Sequence, residues 1–297
     1  MATSILILGA SGQTGSEMAR ILSLANFSVR VTYREQSELQ RMRELGVDDA
    51  PADFEDVESL KKAMNGVERV FVIQPVSPKM ADWTKNICEA AKSANISHLI
   101  RISNMATGPD LGSEIATLHH ESDEMLKQAG CNFTIIKPAN YYQNMFYSSL
   151  NIIRTSHFAL PLGTANVAHI DVRDVARFGC HMLIDNGHEN KEYIITGPEA
   201  PTMHVLARKF SKILRKEVRY IPVEPVAATQ VFKDQGLPEW QAQSIGTMFT
   251  EYGSGKYNFV TKTFAEVTGE QPRSFDEFLA DYRDVFTREA NKPILPS

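Results

Sequence analysis

Apolar segments of strand length alternate with segments of helical periodicity through the first half of the chain. Strands are predicted at residues 5–8, 28–33, 47–53, 67–73, 98–103 and 132–137. Helices are predicted between them, at residues 15–25, 38–45, 57–64, 81–93 and 115–128. This βαβ alternation indicates a parallel sheet with helices on both faces. Because parallel crossovers are right-handed, we expect an α/β fold with a Rossmann-like, doubly wound sheet.

The second half of the chain is less regular and holds most of the prolines. Helices are predicted there at residues 175–184, 203–214, 227–235, 238–252 and 275–286, with short strands at 192–195 and 218–222. We therefore expect a Rossmann-like domain over residues 1–150 and a smaller α-rich C-terminal lobe over residues 151–297, with some of this second part returning to the first sheet.

The turn after the first predicted strand contains the most specific motif. Gly9, Gly12 and Gly15 follow one another at three-residue spacing, between a strand and a helix. Glycines there allow a tight turn, a close approach of backbone to phosphate and close packing of the helix on the sheet. The helix N-terminus adds unpaired N–H groups that attract an anion. We expect the turn to bind a dinucleotide pyrophosphate through Gly9, Ser11, Gly12, Gln13, Thr14 and Gly15. The alternative is a glycine-rich turn that binds nothing.

The end of the second predicted strand bears on which dinucleotide is bound. An acidic residue there would bind the ribose 2′-hydroxyl, but this chain has Tyr33, followed by Arg34. An arginine fork suits a 2′-phosphate, so we expect NADP as the cofactor. Glu35 and Glu38 lie close by and favour a ribose hydroxyl instead. Alternatively, Arg34 is a solvated surface charge.

Three further strand ends are candidates because ligands of such sheets lie beyond the carboxyl ends of the strands. Asp53 and Phe54 end the third strand, where an acid can meet the adenine amino group and an aromatic ring can flank the base. An ordinary acidic turn is equally compatible with these two residues. The nicotinamide half is expected to border, largely through backbone, on Gln74, Pro75, Ser103 and Asn104.

Composition narrows the class of protein. The 297 residues are 43% hydrophobic and 23% charged, which is ordinary for a soluble globular protein. The net charge of −5 argues against direct binding of nucleic acid. Three widely spaced cysteines predict neither a disulfide framework nor a metal site. With no apolar run long enough for a membrane span and no room for a signal peptide, we expect a cytoplasmic protein with a small-molecule substrate. Whether it is a monomer or a homodimer stays open.

The chain resembles, nearly end to end, the atypical short-chain dehydrogenase/reductases of the NmrA-like group. Beyond the glycine turn and the strand ending at Arg34, the motifs that carry this resemblance lie at residues 137–144, 169–176, 236–240 and 269–278. The group includes NADPH-dependent quinone reductases, triphenylmethane-dye reductases, clavine-alkaloid reductases and redox-sensing regulators. The resemblance implies that Pro138, Tyr141 and Asn144 belong to the wall around nicotinamide and substrate. It also implies that residues 171–174 form a structural joint.

The long helix after the fifth strand departs from the wider superfamily. The resemblance places a catalytic tyrosine and lysine at positions that hold Ile115 and His119 here. Reduction of an ordinary ketone needs a general acid, whereas a quinone, an iminium ion or a triarylmethane cation needs it much less. We therefore expect an NADPH-dependent reductase of an electrophilic conjugated acceptor, with His119 and Tyr141 as candidate catalytic residues.

Each of these two residues has a simpler interpretation. His119 either binds the ribose or relays a proton, or it is an exposed first-turn residue together with His120. Tyr141 is either a contact at the reacting centre or an ordinary wall aromatic. The absent pair also fits a protein of another class, an NADP(H)-sensing regulator without turnover.

Overall fold

The computed structural model describes residues 4–34, 46–234 and 236–287. Its strands are β1 (Ile5–Leu8), β2 (Val29–Tyr33), β3 (Asp48–Pro51), β4 (Arg69–Val72), β5 (His98–Ile102), β6 (Asn132–Pro138), β7 (Asn140–Tyr141), β8 (His157–Leu160), β9 (His169–Ile170), β10 (Lys191–Ile195) and β11 (Arg219–Pro222). Its α-helices are α1 (Gln13–Leu24), α2 (Val57–Met64), α3 (Met80–Ser93), α4 (Glu114–Lys127), α5 (Ser149–Thr155), α6 (Val172–Ile184), α7 (Met203–Leu214), α8 (Pro225–Asp234), α9 (Glu239–Gly253), α10 (Thr263–Thr268) and α11 (Phe275–Asp281). Two 3₁₀ helices span Tyr142–Ser148 and Arg283–Phe286.

Seven parallel strands form the central sheet in the order β10-β6-β5-β4-β1-β2-β3. The direction of winding reverses between β1 and β4, so the carboxyl ends of these two strands open a crevice. This order confirms the prediction of a doubly wound, Rossmann-like sheet. It places the turn after β1 directly beside the end of β4.

Strand β1 is buried on both faces of the sheet, which explains its uninterrupted apolar sequence. In β1, Ile5 and Ile7 belong to one hydrophobic core, whereas Leu6 and Leu8 belong to the other. Alternate side chains of a strand point to opposite faces, so each face of the sheet has its own apolar layer.

The second half of the chain contributes to this sheet. Strand β10 pairs with β6 at the edge, and α6 packs against α1 on one face. Gly179 of α6 permits this close packing, because a Cβ there would lie 2.8 Å from the ring of Phe71 and 3.0 Å from the terminal methyl of Met18. The sheet therefore draws on both parts of the chain.

Elements within residues 203–287 add a cluster of aromatic rings to the hydrophobic core that contains Ile5 and Ile7. The rings of Phe210 and Phe286 lie 4.9 Å apart, and those of Phe210 and Phe275 lie 5.4 Å apart. Ser274 caps α11 in a reciprocal arrangement with Glu277. The helix predicted over residues 275–286 is two elements in the structure, because α11 ends at Asp281 and a 3₁₀ helix follows.

Several short elements were not predicted, and one prediction is untested. The strands β7, β8 and β9 and the helices α5 and α10 have no counterpart among the predicted elements. The helix predicted at residues 38–45 lies outside the described residues, as do Glu35 and Glu38. Among the helices that the structure describes, none combines the length and the apolar character needed to cross a membrane.

Candidate functional site

The turn between β1 and α1 can be built only from glycine at two positions. Gly9 has a φ of +82°, and a Cβ on it would lie 2.1 Å from the carbonyl oxygen of Ile73. A Cβ on Gly15 would lie 2.6 Å from the carbonyl oxygen of Gly9. The turn therefore lies tightly against the end of β4, and α1 starts close to the sheet.

The N-terminus of α1 suits an anion. Gly12 is the N-cap, no side chain of the described residues caps the helix, and its first turn contains no acidic residue. By contrast, Asp56 caps α2 and Ser113 caps α4 through side-chain oxygens. The first N–H groups of α1 are thus left to a ligand. These features fit the pyrophosphate of a dinucleotide, with Thr14 buried, Gln13 half-buried and Ser11 exposed at the turn.

The end of β2 faces the loop that follows β3. Tyr33 is half-buried and Arg34 is exposed. The pKa of Glu55 is lowered chiefly by its hydrogen bond to Lys79, and the charge of Arg34 contributes to the same shift. Arg34 therefore lies near this loop. Its role as a phosphate ligand stays a prediction.

Asp53 and Phe54 are engaged with the protein itself. One Asp53 carboxylate oxygen accepts the backbone N–H of Glu55 at 2.9 Å, which is the pattern of an acidic turn. The ring of Phe54 lies 5.7 Å from the ring of Trp83 on α3. The structure thus supports the turn interpretation of Asp53, and the contact of both residues with adenine stays a prediction.

The side chains at the ends of β4 and β5 also bond within the protein. Gln74 accepts from the Thr84 hydroxyl at 3.1 Å, and Ser103 donates to Asp123 at 2.7 Å. These internal bonds are compatible with mainly backbone contacts to a ligand, which stay a prediction. Pro75 is exposed just beyond β4.

Asn104 connects the sheet to the C-terminal lobe. Its side-chain oxygen accepts the backbone N–H of Ala106 at 2.7 Å and the hydroxyl of Tyr252 at 3.2 Å. Tyr252 belongs to α9. Burial raises the pKa of both Tyr252 and Tyr141, so both phenols keep their protons at neutral pH.

The segment around the end of β6 contains the residues expected to form the nicotinamide and substrate wall, and next to them a residue of the aromatic core. Pro138 is buried at the end of β6, and Tyr141 is half-buried in β7. Asn144 is exposed, and its amide donates to the side-chain oxygen of Asn140 at 2.6 Å. Tyr142 belongs to the aromatic core, with its ring 5.1 Å from that of Phe275.

His119 is buried at the position where the superfamily has lysine. The residue is 8% exposed, and its Nδ1 lies 3.3 Å from Nη2 of Arg101. Burial, reinforced by the Arg101 charge, lowers the pKa of His119 to about 3. The interpretation as an exposed residue therefore does not hold, and the ring is neutral at pH 7. A hydrogen bond, and not proton relay through an imidazolium, is what this position permits.

A buried ionic network, which was not predicted from the sequence, lies beside this histidine. Arg101 of β5 and Asp123 of α4 are paired at 2.5 Å with both side chains almost fully buried. Lys137 lies 3.7 Å from Asp123 and pairs with Glu192 on β10 at 2.5 Å. Two signals were available: an arginine inside an apolar strand, and an aspartate four residues after His119 on the same helix.

Asp171 and Asp174 are structural. Asp171 accepts from the Gln143 amide at 2.9 Å and from Arg173, and Asp174 accepts the backbone N–H of Arg273 at 2.6 Å. These bonds tie the start of α6 to the segment after β7 and to the chain before α11. The arrangement is the joint that the sequence resemblance implied.

The cysteines and acidic residues offer no alternative chemistry in the part of the chain that the structure describes. Burial raises the pKa of the Cys88 and Cys180 thiols to about 12, so neither is a nucleophile at neutral pH. Across the described ranges, no three histidine, cysteine or carboxylate side chains are grouped so as to hold a metal ion.

Comparison with known proteins agrees with this geometry. The chain is 28% identical over 282 residues to an NAD(P)H azoreductase of Xenophilus azovorans, covering 95% of this chain and 99% of that protein. Its fold is similar to that of an NADPH-dependent quinone oxidoreductase of Escherichia coli complexed with NADPH (TM-score 0.85, 24% identity, 94% of this chain and 99% of that one). It is also similar to that of a triphenylmethane reductase of Citrobacter sp. complexed with NADP(H) (TM-score 0.79, 19% identity, 92% and 98%). The NmrA-like family matches residues 1–279, and the chain therefore belongs to that family.

Proposed function

We propose that the protein is an NADPH-dependent reductase that delivers hydride to an electrophilic conjugated acceptor such as a quinone, an iminium ion or a related secondary metabolite. The observation that carries this proposal is a glycine turn suited to a nucleotide together with the absence of an acid at the superfamily tyrosine and lysine positions. Ile115, at the superfamily tyrosine position, is buried and apolar, and His119 is neutral. The azoreductase, quinone reductase and dye reductase relatives support the same class of reaction.

The acceptor class follows from what these residues can do. A ketone would require a proton donor for the developing alkoxide, and neither Ile115 nor neutral His119 is an acid of suitable strength. Quinones and cations spread or cancel the developing charge, so hydrogen-bond donors suffice. The nicotinamide, when bound, supplies the hydride. The protein contributes orientation, which alone is worth on the order of 7–11 kcal/mol at best.

The assignment of NADP follows from the end of β2. Tyr33 occupies the position of the acid that would select NAD, and the exposed Arg34 next to it supplies a guanidinium for the 2′-phosphate. In this proposal residues 1–150 hold most of the nucleotide and contribute Pro138, Tyr141 and Asn144 to the wall, and residues 151–297 are mostly a substrate-binding lobe.

Tyr141 offers a phenolic hydrogen-bond donor to the acceptor, whereas Tyr252 donates its proton to Asn104 and holds the lobe against the end of the sheet. Tyr141 lies in β7, directly after the strand that ends at Pro138, and Tyr252 reaches the end of β5 through Asn104. Both keep their protons because burial raises their pKa. Tyr141 and His119 are therefore proposed to contact the reacting molecule.

NADPH oxidation with and without acceptors tests the proposal. A panel of benzoquinones, naphthoquinones, azo dyes, triarylmethane dyes and cyclic iminium salts should include at least one acceptor that accelerates NADPH oxidation at catalytic protein concentration. An inert panel, combined with tight NADPH binding, would overturn the reductase and favour the second candidate. That candidate is an NADP(H)-sensing regulator, favoured by the same absence of the tyrosine and lysine pair. Its signature is an affinity for a protein partner that differs between NADP and NADPH.

A further inference from the structure

The contact between Arg101 and His119 fixes which ring nitrogen carries the proton. A guanidinium has only donors, so Nδ1 of His119, 3.3 Å from Nη2, must be the acceptor. A neutral imidazole has one N–H, and with Nδ1 accepting, that proton is on Nε2.

Arg101 is itself held from several sides. The residue is 1% exposed, and its Nη1 pairs with Asp123 at 2.5 Å. Its Nε lies 3.4 Å from Oε1 of Gln74, and Nη2 also lies 3.3 Å from the sulfur of Met80. The guanidinium plane therefore has one orientation, and that orientation directs Nη2 at the histidine.

Nε2 of His119 has no hydrogen-bond partner among the described residues. The fully buried polar side-chain atoms without a hydrogen-bond partner, within the described residues, are Trp83 Nε1, His98 Nδ1, Ser122 Oγ and Tyr142 Oη. Nε2 of His119 is not among them, and no described residue bonds to it. The residue is 8% exposed, and this nitrogen is the polar atom of its ring that is left for a ligand.

We propose that Arg101 is a positioning residue that locks His119 as the neutral Nε2–H tautomer, so that the histidine presents a permanent hydrogen-bond donor to an oxygen of the bound molecules. The use of this donor rests on the proposed reductase function. The oxygen belongs either to the nicotinamide ribose or to the acceptor. In both cases the Nε2–H of His119 is an uncharged donor at the position where the superfamily has a charged lysine.

The charges around His119 explain why its ring stays in the neutral Nε2–H form over a wide pH range. Protonation would place an imidazolium beside the Arg101 guanidinium, away from water. Asp123 lies four residues after His119 in the same helix. Its carboxylate is already paired with Arg101 and also accepts a hydrogen bond from the Ser103 hydroxyl. Cys88 of α3 and Lys137 of β6 face the same network, and neither supplies a negative charge to the ring at neutral pH.

Nitrogen-15 NMR of the histidine rings in the cofactor-free protein tests the lock directly. Long-range ¹H–¹⁵N correlation should show His119, assigned by its loss in His119→Gln, as the Nε2–H tautomer with no titration between pH 8 and pH 5. A Nδ1–H tautomer, a mixture, or an ordinary titration near pH 6.5 would overturn the proposal. This measurement needs no substrate, so its outcome is independent of whether the protein is a reductase.

Two arginine variants separate positioning from general packing. Arg101→Met should bring the pKa of His119 back toward its ordinary value and allow both tautomers. Arg69→Met removes a buried arginine at the start of β4, which bonds to the carbonyls of Leu183 and Asp185, and should leave His119 unchanged. An unchanged His119 in folded Arg101→Met would contradict the proposal. If Arg101→Met does not fold, the wild-type spectrum decides.

The affinity for NADPH and the KM for a quinone show whether His119 donates to an oxygen of the nicotinamide ribose or to an oxygen of the acceptor. His119→Leu should weaken one of them about 2- to 12-fold, the range of a single hydrogen bond. His119→Gln, whose amide both accepts from Arg101 and donates, should restore most of the loss. Weaker NADPH binding points to the ribose, and a raised KM with unchanged NADPH binding points to the acceptor. No effect on either quantity would show that the donor is unused and would overturn that part of the proposal.

Discussion

Tyr252 of α9 donates its phenolic proton to the side-chain oxygen of Asn104, 3.2 Å away at the end of β5. The two residues are 148 positions apart, and Tyr252 is 4% exposed. Asn104 also caps the backbone N–H of Ala106. This contact joins the C-terminal lobe to the end of the sheet where the proposed reaction takes place.

Removing that hydroxyl should affect the acceptor more than the nucleotide. We expect Tyr252→Phe to lower the free energy of unfolding by about 1 kcal/mol and to raise the KM for a quinone, with NADPH affinity nearly unchanged. Urea unfolding, steady-state kinetics and calorimetry measure the three quantities. Tyr257→Phe is the control, because its ring packs on Tyr252 without the bond to Asn104. Equal effects of the two variants would contradict the assignment.

Glycine at position 9 is required by space as well as by backbone angle. Gly9 and Gly130 have φ values of +82° and +80°, but only at Gly9 does an added Cβ meet other atoms within 4 Å. We expect Gly130→Ala to cost about 1–2 kcal/mol of stability and Gly9→Ala clearly more, with lost NADPH binding. Urea unfolding and calorimetry measure both. Similar losses in the free energy of unfolding for the two variants would show that the backbone near Ile73 can shift to accommodate the added methyl group.

Arg34 should distinguish the two nicotinamide cofactors. We expect Arg34→Ala to weaken NADPH binding about 10- to 150-fold, the effect of losing a charge-assisted contact, and to leave NADH binding almost unchanged. Titration calorimetry of both cofactors measures this. Arg20→Ala, which removes an exposed arginine paired with Glu17 on α1, should change neither. Parallel weakening of NADPH and NADH would mean that Arg34 supports the fold, and a wild-type preference for NADH would refute the choice of NADP.

The buried pair of Arg101 and Asp123 should be costly to break. Asp123→Asn leaves the Arg101 charge without its counter-ion in the interior, and we expect a loss of about 3–5 kcal/mol in the free energy of unfolding. Glu124→Gln, at the adjacent position on α4, breaks an exposed pair with Lys127 and should cost less than about 1 kcal/mol. Chemical denaturation of both variants measures the difference, and comparable losses would argue against a buried, charged pair.

Three buried histidines should make the protein less stable in mild acid. Burial lowers the pKa of His98 and His169 to about 4 and that of His119 to about 3. Below pH 6.5 the unfolded chain therefore binds protons that the folded chain does not, and stability falls as the pH falls. Each histidine contributes about 0.7 kcal/mol per pH unit at pH 6.5, and its contribution approaches about 1.4 kcal/mol per pH unit toward pH 5. Urea midpoints between pH 6.5 and pH 5 measure the slope. His119→Gln should remove roughly one of the three protons from it, and an unchanged slope would contradict burial of a neutral ring.

The sequence was sufficient to predict the architecture because strands, helices and the glycine turn are indicated by residues close together in the chain. Alternation of strands and helices, with glycine at 9, 12 and 15, led to the correct sheet, and the helices at 57–64 and 203–214 were predicted with their observed bounds. Strands of two residues such as β7 and β9 carry no periodicity, so they could not be recognised.

The candidate site was less predictable because its side chains meet through tertiary packing. Strand ends could be placed from the parallel order alone, which located Gln74 and Ser103. The partners of these residues, and the contact between Tyr252 and Asn104, depend on helices that approach from distant parts of the chain. Amphipathic spacing predicts that Tyr252 is buried, but not which polar atom its hydroxyl meets.

The position of β10 has a consequence for how the protein is made. A nascent chain that has left the ribosome as far as residue 150 has all the strands of the nucleotide half except its last, and the outer edge of β6 stays bare until Lys191–Ile195 emerge. Helix α6, which covers α1, is synthesised just before that strand. The first half therefore needs the second to protect its edge during synthesis, and a cut at residue 150 would divide a folding unit and not a linker.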